Sequence, residues 1–433
     1  MFHRKVEESV LDNGLTVLTA ANSTSPTATL QVWYRVGSRN ERTGITGISH
    51  IFEHMMFKGT EKYPRGSFDR IVQENGMTYN AFTSHDFTAY YEVMAADRLE
   101  LSMELESDRM QGLLLDPEEF ASEISVIREE RRQTREDPPF GLLSEAVEAT
   151  MFTAHPYHWP VIGWMTDLFT ITVEDLQAYY RDYYRPNNAF LVVAGDVEHA
   201  RVVDQASRFF GRIERGSELP EVRIREPRQL GERTVSVRKA VQLPGIIVAY
   251  RTPGRGSEDI YALNALEYLL FHGKSSRLYQ RLVYREQLAV GLTGGYYLRT
   301  DPSSFSIRAS ARPGIAVERL RDAIYAELAD LQERPVAEAE LRKAIRAIEV
   351  EHLFGQESNE EMAQSLGASA TRGTWREYLD WVESHRRLTP ADLQRAARDV
   401  FTETGRTVGY LVPDENAPAP DSFRGEEGNA DES

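Results

Sequence analysis

The chain has 433 residues, 67 Asp+Glu against 50 Lys+Arg, a formal net charge of −17, and no cysteine. At roughly 150 residues per domain this length predicts two to four domains, each able to bury a core. The acidity excludes phosphate-driven nucleic-acid binding and adhesion to an anionic membrane, and the missing cysteines exclude disulfide scaffolds, thiolate metal sites and thiol nucleophiles, so any metal site is built from His, Asp and Glu.

In chain order, the segment from Met1 to Val17 carries charges where a secretory signal would need an apolar core, and no run approaches the ~20 apolar residues of a membrane span. A soluble, cytoplasmic protein is expected. Thr16 to Ala20 and Thr27 to Val36 are β-branched runs that predict strands. The stretch from Gly47 to Thr60, GISHIFEHMMFKGT, follows. Read as a helix, it places Ile48, Phe52 and Met55 on one face and His50, Glu53 and His54 on the opposite one. Histidines at i and i+4 lie one turn apart, so both rings can approach a single Zn²⁺, with Glu53 between them in reach of a water at the metal. The order HxxEH is the inverted zinc-peptidase motif.

A catalytic zinc of the His₂Glu type needs a third protein ligand. Helical patterns cover 97 to 113 and 116 to 137, the second opening with Asp116 as N-cap, Pro117 at the first position and acids in the first turn. Along it Phe120, Ile124 and Ile127 mark the buried face. Glu123 and Glu130 flank that face, while Glu129 points to solvent. Glu130 is therefore the better ligand, and Glu123 is placed to orient a ligand or supply charge beside it. Further on, His155 to Pro160, HPYHWP, has two His three apart between prolines, which suits a structural turn better than a metal site.

The second part repeats the first. Thr172-Val173-Glu174-Asp175-Leu176-Gln177 recurs in outline as Thr389-Pro390-Ala391-Asp392-Leu393-Gln394 and Arg181-Asp182-Tyr183-Tyr184 as Arg398-Asp399-Val400-Phe401, each 217 residues later; Val32 to Arg35 answers Val248 to Arg251. Two copies of one α+β domain are expected, each a mostly antiparallel sheet with helices on one face. The expected boundaries are 1–215 for the zinc-binding domain, 216–232 for a surface linker, 233–413 for a homologous domain, and 414–433 for a disordered tail with seven acids and one Arg. In the second copy the corresponding helix reads ALEYLLFHGKSS, where Glu267, Tyr268 and His272 lack the HxxEH spacing, so no second metal site is expected.

Three stretches, GISHIFEHMMFKGT, GMTYNAFTSHDFTAYYEVM (Gly76 to Met94) and EISVIREERRQTREDPP (Glu123 to Pro139), resemble the pitrilysin or insulinase family of zinc peptidases, in particular its short two-domain branch that includes mitochondrial processing peptidase. The likeness covers nearly the whole chain. It implies one zinc held by His50, His54 and Glu130, Glu53 as general base, and Glu123 as an additional functional glutamate. It further implies that Asn80, Ala81 and Phe82 lie on an edge strand where an extended substrate pairs by strand addition. The implied activity is endopeptidase cleavage of peptides or unfolded segments inside a closed clam-shell chamber of about four such domains, of which this chain is half. The alternative is a non-catalytic assembly subunit of the same fold, against which the complete motif argues.

The family's second half often supplies an Arg and a Tyr seven residues apart that hold the substrate. Here Leu282 to Val290 reads LVYREQLAV, with Val283 and Val290 at those positions. Arg281, Tyr284 or Arg285 is a candidate substitute, each more in keeping with a surface residue. The resemblance therefore implies a heterodimer with a zinc-less homologue that brings the Arg and Tyr, with a homodimer as the alternative.

Overall fold

Among the described residues, eleven strands and the helices between them fold into two sheets that share a five-strand order. The computed structural model describes residues 4–417. The first sheet is built from β1 (Val6–Val10), β2 (Thr16–Ala21), β3 (Thr27–Tyr34), β4 (Thr78–Thr83), β5 (Thr88–Ala95) and β6 (Ala189–Gly195), in the order β1-β2-β6-β3-β5-β4. The second comprises β7 (Arg233–Lys239), β8 (Gly245–Thr252), β9 (Ala289–Tyr297), β10 (Ser303–Ala311) and β11 (Arg406–Pro413), in the order β7-β11-β8-β10-β9. Apart from β1 the two orders superimpose, down to one parallel pair in each, β2 with β6 and β7 with β11. The fold is α+β.

The repeat begins in local chemistry. Thr172 and Thr389 each open a helix, Val173–Tyr183 and Pro390–Val400, with a reciprocal box in which the Thr hydroxyl accepts the amide of Asp175 or Asp392 and that Asp accepts the Thr amide. Each helix then leads into the strand, β6 or β11, that lies beside the parallel partner.

Each sheet carries its own helices on one face, as the sequence predicts, and a helix from the other half covers the opposite face. Helix Asn359–Arg372 brings Met362, Ala363 and Leu366 onto Trp33, Phe190 and Val192 of the first sheet. In return, helix Gly141–Met151 brings Leu143 and Val147 onto Ile247, Ala249 and Leu411 of the second. This exchange explains why β6 reads as the unbroken apolar run AFLVVAG: every residue of it is buried, because both faces are covered. Gly367 marks the closest approach, since a Cβ there would lie 2.1 Å from the Trp33 ring.

The HPYHWP turn is a joint between the halves. Tyr157 donates to Asp86, which also accepts the Thr300 amide; Asp301 takes Arg39 Nε at 2.5 Å and lies 3.1 Å from His155 Nε2; Trp159 donates to the Ser38 carbonyl. Residues 216–232 contain no helix or strand, and Glu226 pins them by accepting the amides of Thr153, Ala154 and His155. Of the acidic tail, 414–417 form a turn and 418–433 lie outside the described residues. No helix among the described residues is long and apolar enough to cross a membrane.

Candidate metal centre

The HxxEH segment forms helix Ile48–Met55, with Ile48, Ile51, Phe52 and Met55 fully buried beneath the first sheet. Its start is held from outside. Gly47, at φ 92°, turns the chain into the helix in a conformation that disfavours a side chain. Buried Glu41 accepts the amides of Gly47 at 2.8 Å and Ser49 at 2.9 Å, which would otherwise be orphaned at the helix N-terminus. Asp167 does the same for the amides of Gly44 and Thr46 in the preceding loop. Neither residue was found from sequence, because both act across loops with no local spacing signal.

Helix Pro117–Arg131 lies alongside. Asp116 caps it by accepting the amides of Glu118 and Glu119, and Phe120, Ile124 and Ile127 face inward. Beyond Arg131 it widens into a π turn through Glu136, so the pattern read over 116 to 137 covers two helix types. Glu129 is exposed and bonds to Arg132 and Gln133, whereas the Glu130 carboxylate turns to the histidines. It lies 3.6 Å from His50 Nε2 and 3.4 Å from His54 Nε2. One ligand atom from each of the three lies within 4.8 Å of the others, a group able to hold a metal ion.

Two glutamates complete the surroundings with opposite electrostatics. Glu123 Oε1 is 2.8 Å from His54 Nδ1, and its other oxygen pairs with Lys58 Nζ. The hydrogen bond with His54, aided by Lys58, holds the Glu123 carboxyl down at about 2. Lys58 lies beyond the end of helix Ile48–Met55, in the bend that follows Phe57, so helical spacing does not place it beside Glu123. Glu53 accepts from the Thr83 hydroxyl at 2.6 Å, and burial pushes its carboxyl above the usual range. His50 is lowered to about 4, first by burial and then by the neighbouring His54. For His54 burial acts downward too, but the hydrogen bonds with Glu123 and Glu130 outweigh it and lift the ring to about 9. His50 Nδ1 is buried with no hydrogen-bond partner.

Strand β4 pairs with β5 on one side only and leaves its outer edge open beside the helix. Ala81 faces the same core as the HxxEH helix, and Asn80 is exposed with its Oδ1 on the Ala81 amide. The Phe82 ring lies on the opposite face, against Trp33 and Phe87, so only its backbone is offered at the edge. In the second half Arg281 is committed to Glu286 and Glu327, Tyr284 is 69% exposed, and Arg285 is exposed with Nε on the Gln280 carbonyl.

Residues 16–163 match the family model for insulinase, peptidase family M16, and residues 170–348 match the model described as the peptidase M16 inactive domain. The zinc protease PqqE of Helicobacter pylori is 33% identical over 413 residues, 94% of this chain and 93% of that protein. A Streptomyces coelicolor protein described as an uncharacterized zinc protease is 28% identical over 92% of this chain and 87% of its own. The crystal structure of a protease from Helicobacter pylori superposes with a TM-score of 0.92 at 33% identity, covering 95% of this chain and all of that one. The periplasmic protease PqqL of Escherichia coli, 19% identical, shares the fold at a TM-score of 0.77 over 96% of this chain but 48% of its own. With the inverted motif, the tandem sheets and these matches in agreement, the chain belongs to peptidase family M16, the insulinase family.

Proposed function

We propose that this chain is a zinc-dependent endopeptidase that hydrolyses peptides or unfolded segments held as an extended strand against β4. The observation that carries this reading is the convergence of His50 Nε2, His54 Nε2 and the Glu130 carboxylate beside an unpaired strand edge. The donor set fits zinc, since two imidazoles and one carboxylate are the His₂Glu composition of catalytic sites, and the relatives are named zinc proteases. Zinc, when bound there, supplies a Lewis acid for the scissile carbonyl and lowers the pKa of water.

The remaining work belongs to the chain's own groups. Glu53 takes a proton from the attacking water and returns it to the leaving amine; a carboxyl lifted by burial holds that proton better than an exposed one. Glu123 holds His54 Nδ1, which fixes the tautomer that leaves Nε2 for the metal. The β4 backbone around Asn80, Ala81 and Phe82 pairs with the substrate main chain, so selection rests on extended conformation and folded domains are excluded. Assembly with a second homologous chain would close the cleft into a chamber. Val283 and Val290 leave this chain without an Arg and Tyr for the substrate, and we assign those groups to a zinc-less partner in a heterodimer, with a homodimer as the alternative.

Bound zinc together with cleavage of a mixed pool of short peptides tests the reading. Zinc near one per chain with cleavage that is lost in Glu53→Gln is expected. Zinc without cleavage, even after a homologue is added, would instead support a non-catalytic assembly role.

A further inference from the structure

We infer that the cavity among the helices of the second half binds a small organic monocarboxylate with an apolar body, and that Arg372 receives its carboxylate.

The cavity, of about 800 Å³, is lined by residues of helices Asp259–Phe271, Glu338–Gly355, Asn359–Arg372 and Arg376–Arg386. Arg372 is the only Lys or Arg in this lining. It is also unengaged: among the described residues its guanidinium makes no hydrogen bond and no ion pair, and its Nε is buried. The two acids whose charge reaches it, Asp86 and Glu377, are already committed. Asp86 accepts the Tyr157 hydroxyl and the Thr300 amide, and Glu377 faces Arg255 Nε at 3.8 Å. Arg255 crosses over Gly373 to reach Glu377, at a point where any Cβ would overlap its guanidinium. The acid that follows Arg372 most closely in sequence is thereby paired with another cation. Burial opposes the charge of Arg372 and lowers its pKa. A guanidinium withdrawn from water without a partner lowers stability, and a bound anion offsets that cost.

The rest of the lining sets the class of anion. Ala368 and Ser369 lie one turn before Arg372 on the same helix and face the same cavity, so the space continues along the helix away from the guanidinium. Leu298, Ile348 and Trp381 give this part apolar walls. Glu361 lines the far end, eleven residues before Arg372 and so about 16 Å away along the helix axis. Glu351, which accepts the Tyr268 hydroxyl, is a further acid in the wall. Two carboxylates in the lining oppose a second negative charge on the ligand, which excludes phosphates and dicarboxylates in favour of a monoanion. The planar fork of a guanidinium matches a carboxylate with two parallel hydrogen bonds. A carboxylate at Arg372 with an aliphatic or aromatic body against Ile348 and Trp381 satisfies both ends of the cavity.

The test is calorimetric titration of the zinc-loaded full chain with 4-phenylbutyrate, beside its uncharged analogue 4-phenylbutyramide. The acid is expected to bind at one site per chain and the amide about tenfold more weakly. Arg372→Gln should weaken the acid about tenfold and leave the amide unchanged. Without ligand, the same variant should unfold at an equal or higher temperature than the parent chain, because an unpaired charge has been removed. Phe354→Ala, at an exposed position of the lining, should weaken acid and amide alike. Equal affinity of the acid for the parent chain and for Arg372→Gln would place the carboxylate elsewhere, at the zinc for example, and overturns the inference. A lowered unfolding temperature for Arg372→Gln overturns it as well, since it would show Arg372 serving the fold rather than a ligand.

Discussion

Glu53 and Glu123 both stand close to His54, and their surroundings drive their carboxyls apart. Burial raises Glu53, whereas His54 and Lys58 hold Glu123 at about 2. Two carboxyls separated in this way take different roles, one exchanging protons and the other a permanent charge. Glu53→Gln should retain zinc while kcat falls about 10²–10⁴-fold, read by metal analysis and peptide assay on one sample. Glu130→Ala should lose the metal and Glu129→Ala should keep it, since Glu129 is turned to solvent and bonded to Arg132 and Gln133. Zinc retained by Glu130→Ala would refute the ligand assignment. His54 adds a pH dependence. Its metal-free value of about 9 lies above the ordinary 6.5, so the stability of its ion pairs is complete below about 6.5 and disappears as the pH rises through about 9. Zinc requires the neutral ring, so metal affinity increases over that same window. At pH 7, zinc uptake by the metal-free protein should release about one proton, measured by calorimetry in buffers of different ionisation enthalpy; zero release would place the proton elsewhere.

At the scale of elements, the HxxEH helix of eight residues is too short to be stable by propensity, and tertiary contacts hold it. Its apolar face is sequence-encoded, but its N-terminus depends on Glu41, six residues before Gly47 and buried. Glu41→Ala leaves two buried amides without acceptors, at a cost of about 1–3 kcal/mol. Urea unfolding of the metal-free protein should show that loss, and zinc affinity should fall with it because His50 rides on the same turn. An unchanged urea midpoint would mean that water replaces the carboxylate. Helix Pro117–Arg131 shows why Glu130 could be told from Glu129 in advance: Phe120, Ile124 and Ile127 define its inward stripe, and a 3.6-residue period then orients every other side chain.

For the whole molecule, the exchange of helices means that neither sheet is covered by its own half alone. Gly367→Ala pushes a methyl group into Trp33 and should cost about 1–3 kcal/mol, visible as a lower midpoint in thermal or urea unfolding. No loss of stability would show that the two halves can separate slightly without penalty. Asp301, from the second half, meets Arg39 and His155 of the first, so the second half also braces the loop that leads to Glu41. Assembly is decided at this scale too. Arg281 is occupied by Glu286 and Glu327, which favours a partner as the source of substrate-binding cations. Peptidase activity of the purified chain should rise several-fold on addition of a zinc-less homologue that carries the Arg and Tyr, and full activity alone would favour the homodimer.

The sequence by itself determined the elements whose logic is local: the amphipathic HxxEH helix, the capped helix that places Glu130 inward, the two Thr-Asp boxes, and the duplication. These depend on spacings of three or four residues or on a repeated pattern, so one strand of text contains the information. Tertiary structure alone decided the rest. Glu41, Asp167 and Thr83 reach the site across loops and strands, and no periodicity links them to it. The Phe82 ring faces the inter-half cluster because pleat and register assign it to that face of β4. Glu53 meets Thr83 of β4 and Glu267 meets Tyr296 of β9, the equivalent strand of the second sheet; that likeness was hidden because the flanking side chains differ while the backbone frame is shared. A motif survives in sequence only as long as its residue types do, whereas strand register is held by hydrogen bonds of the main chain and outlasts them.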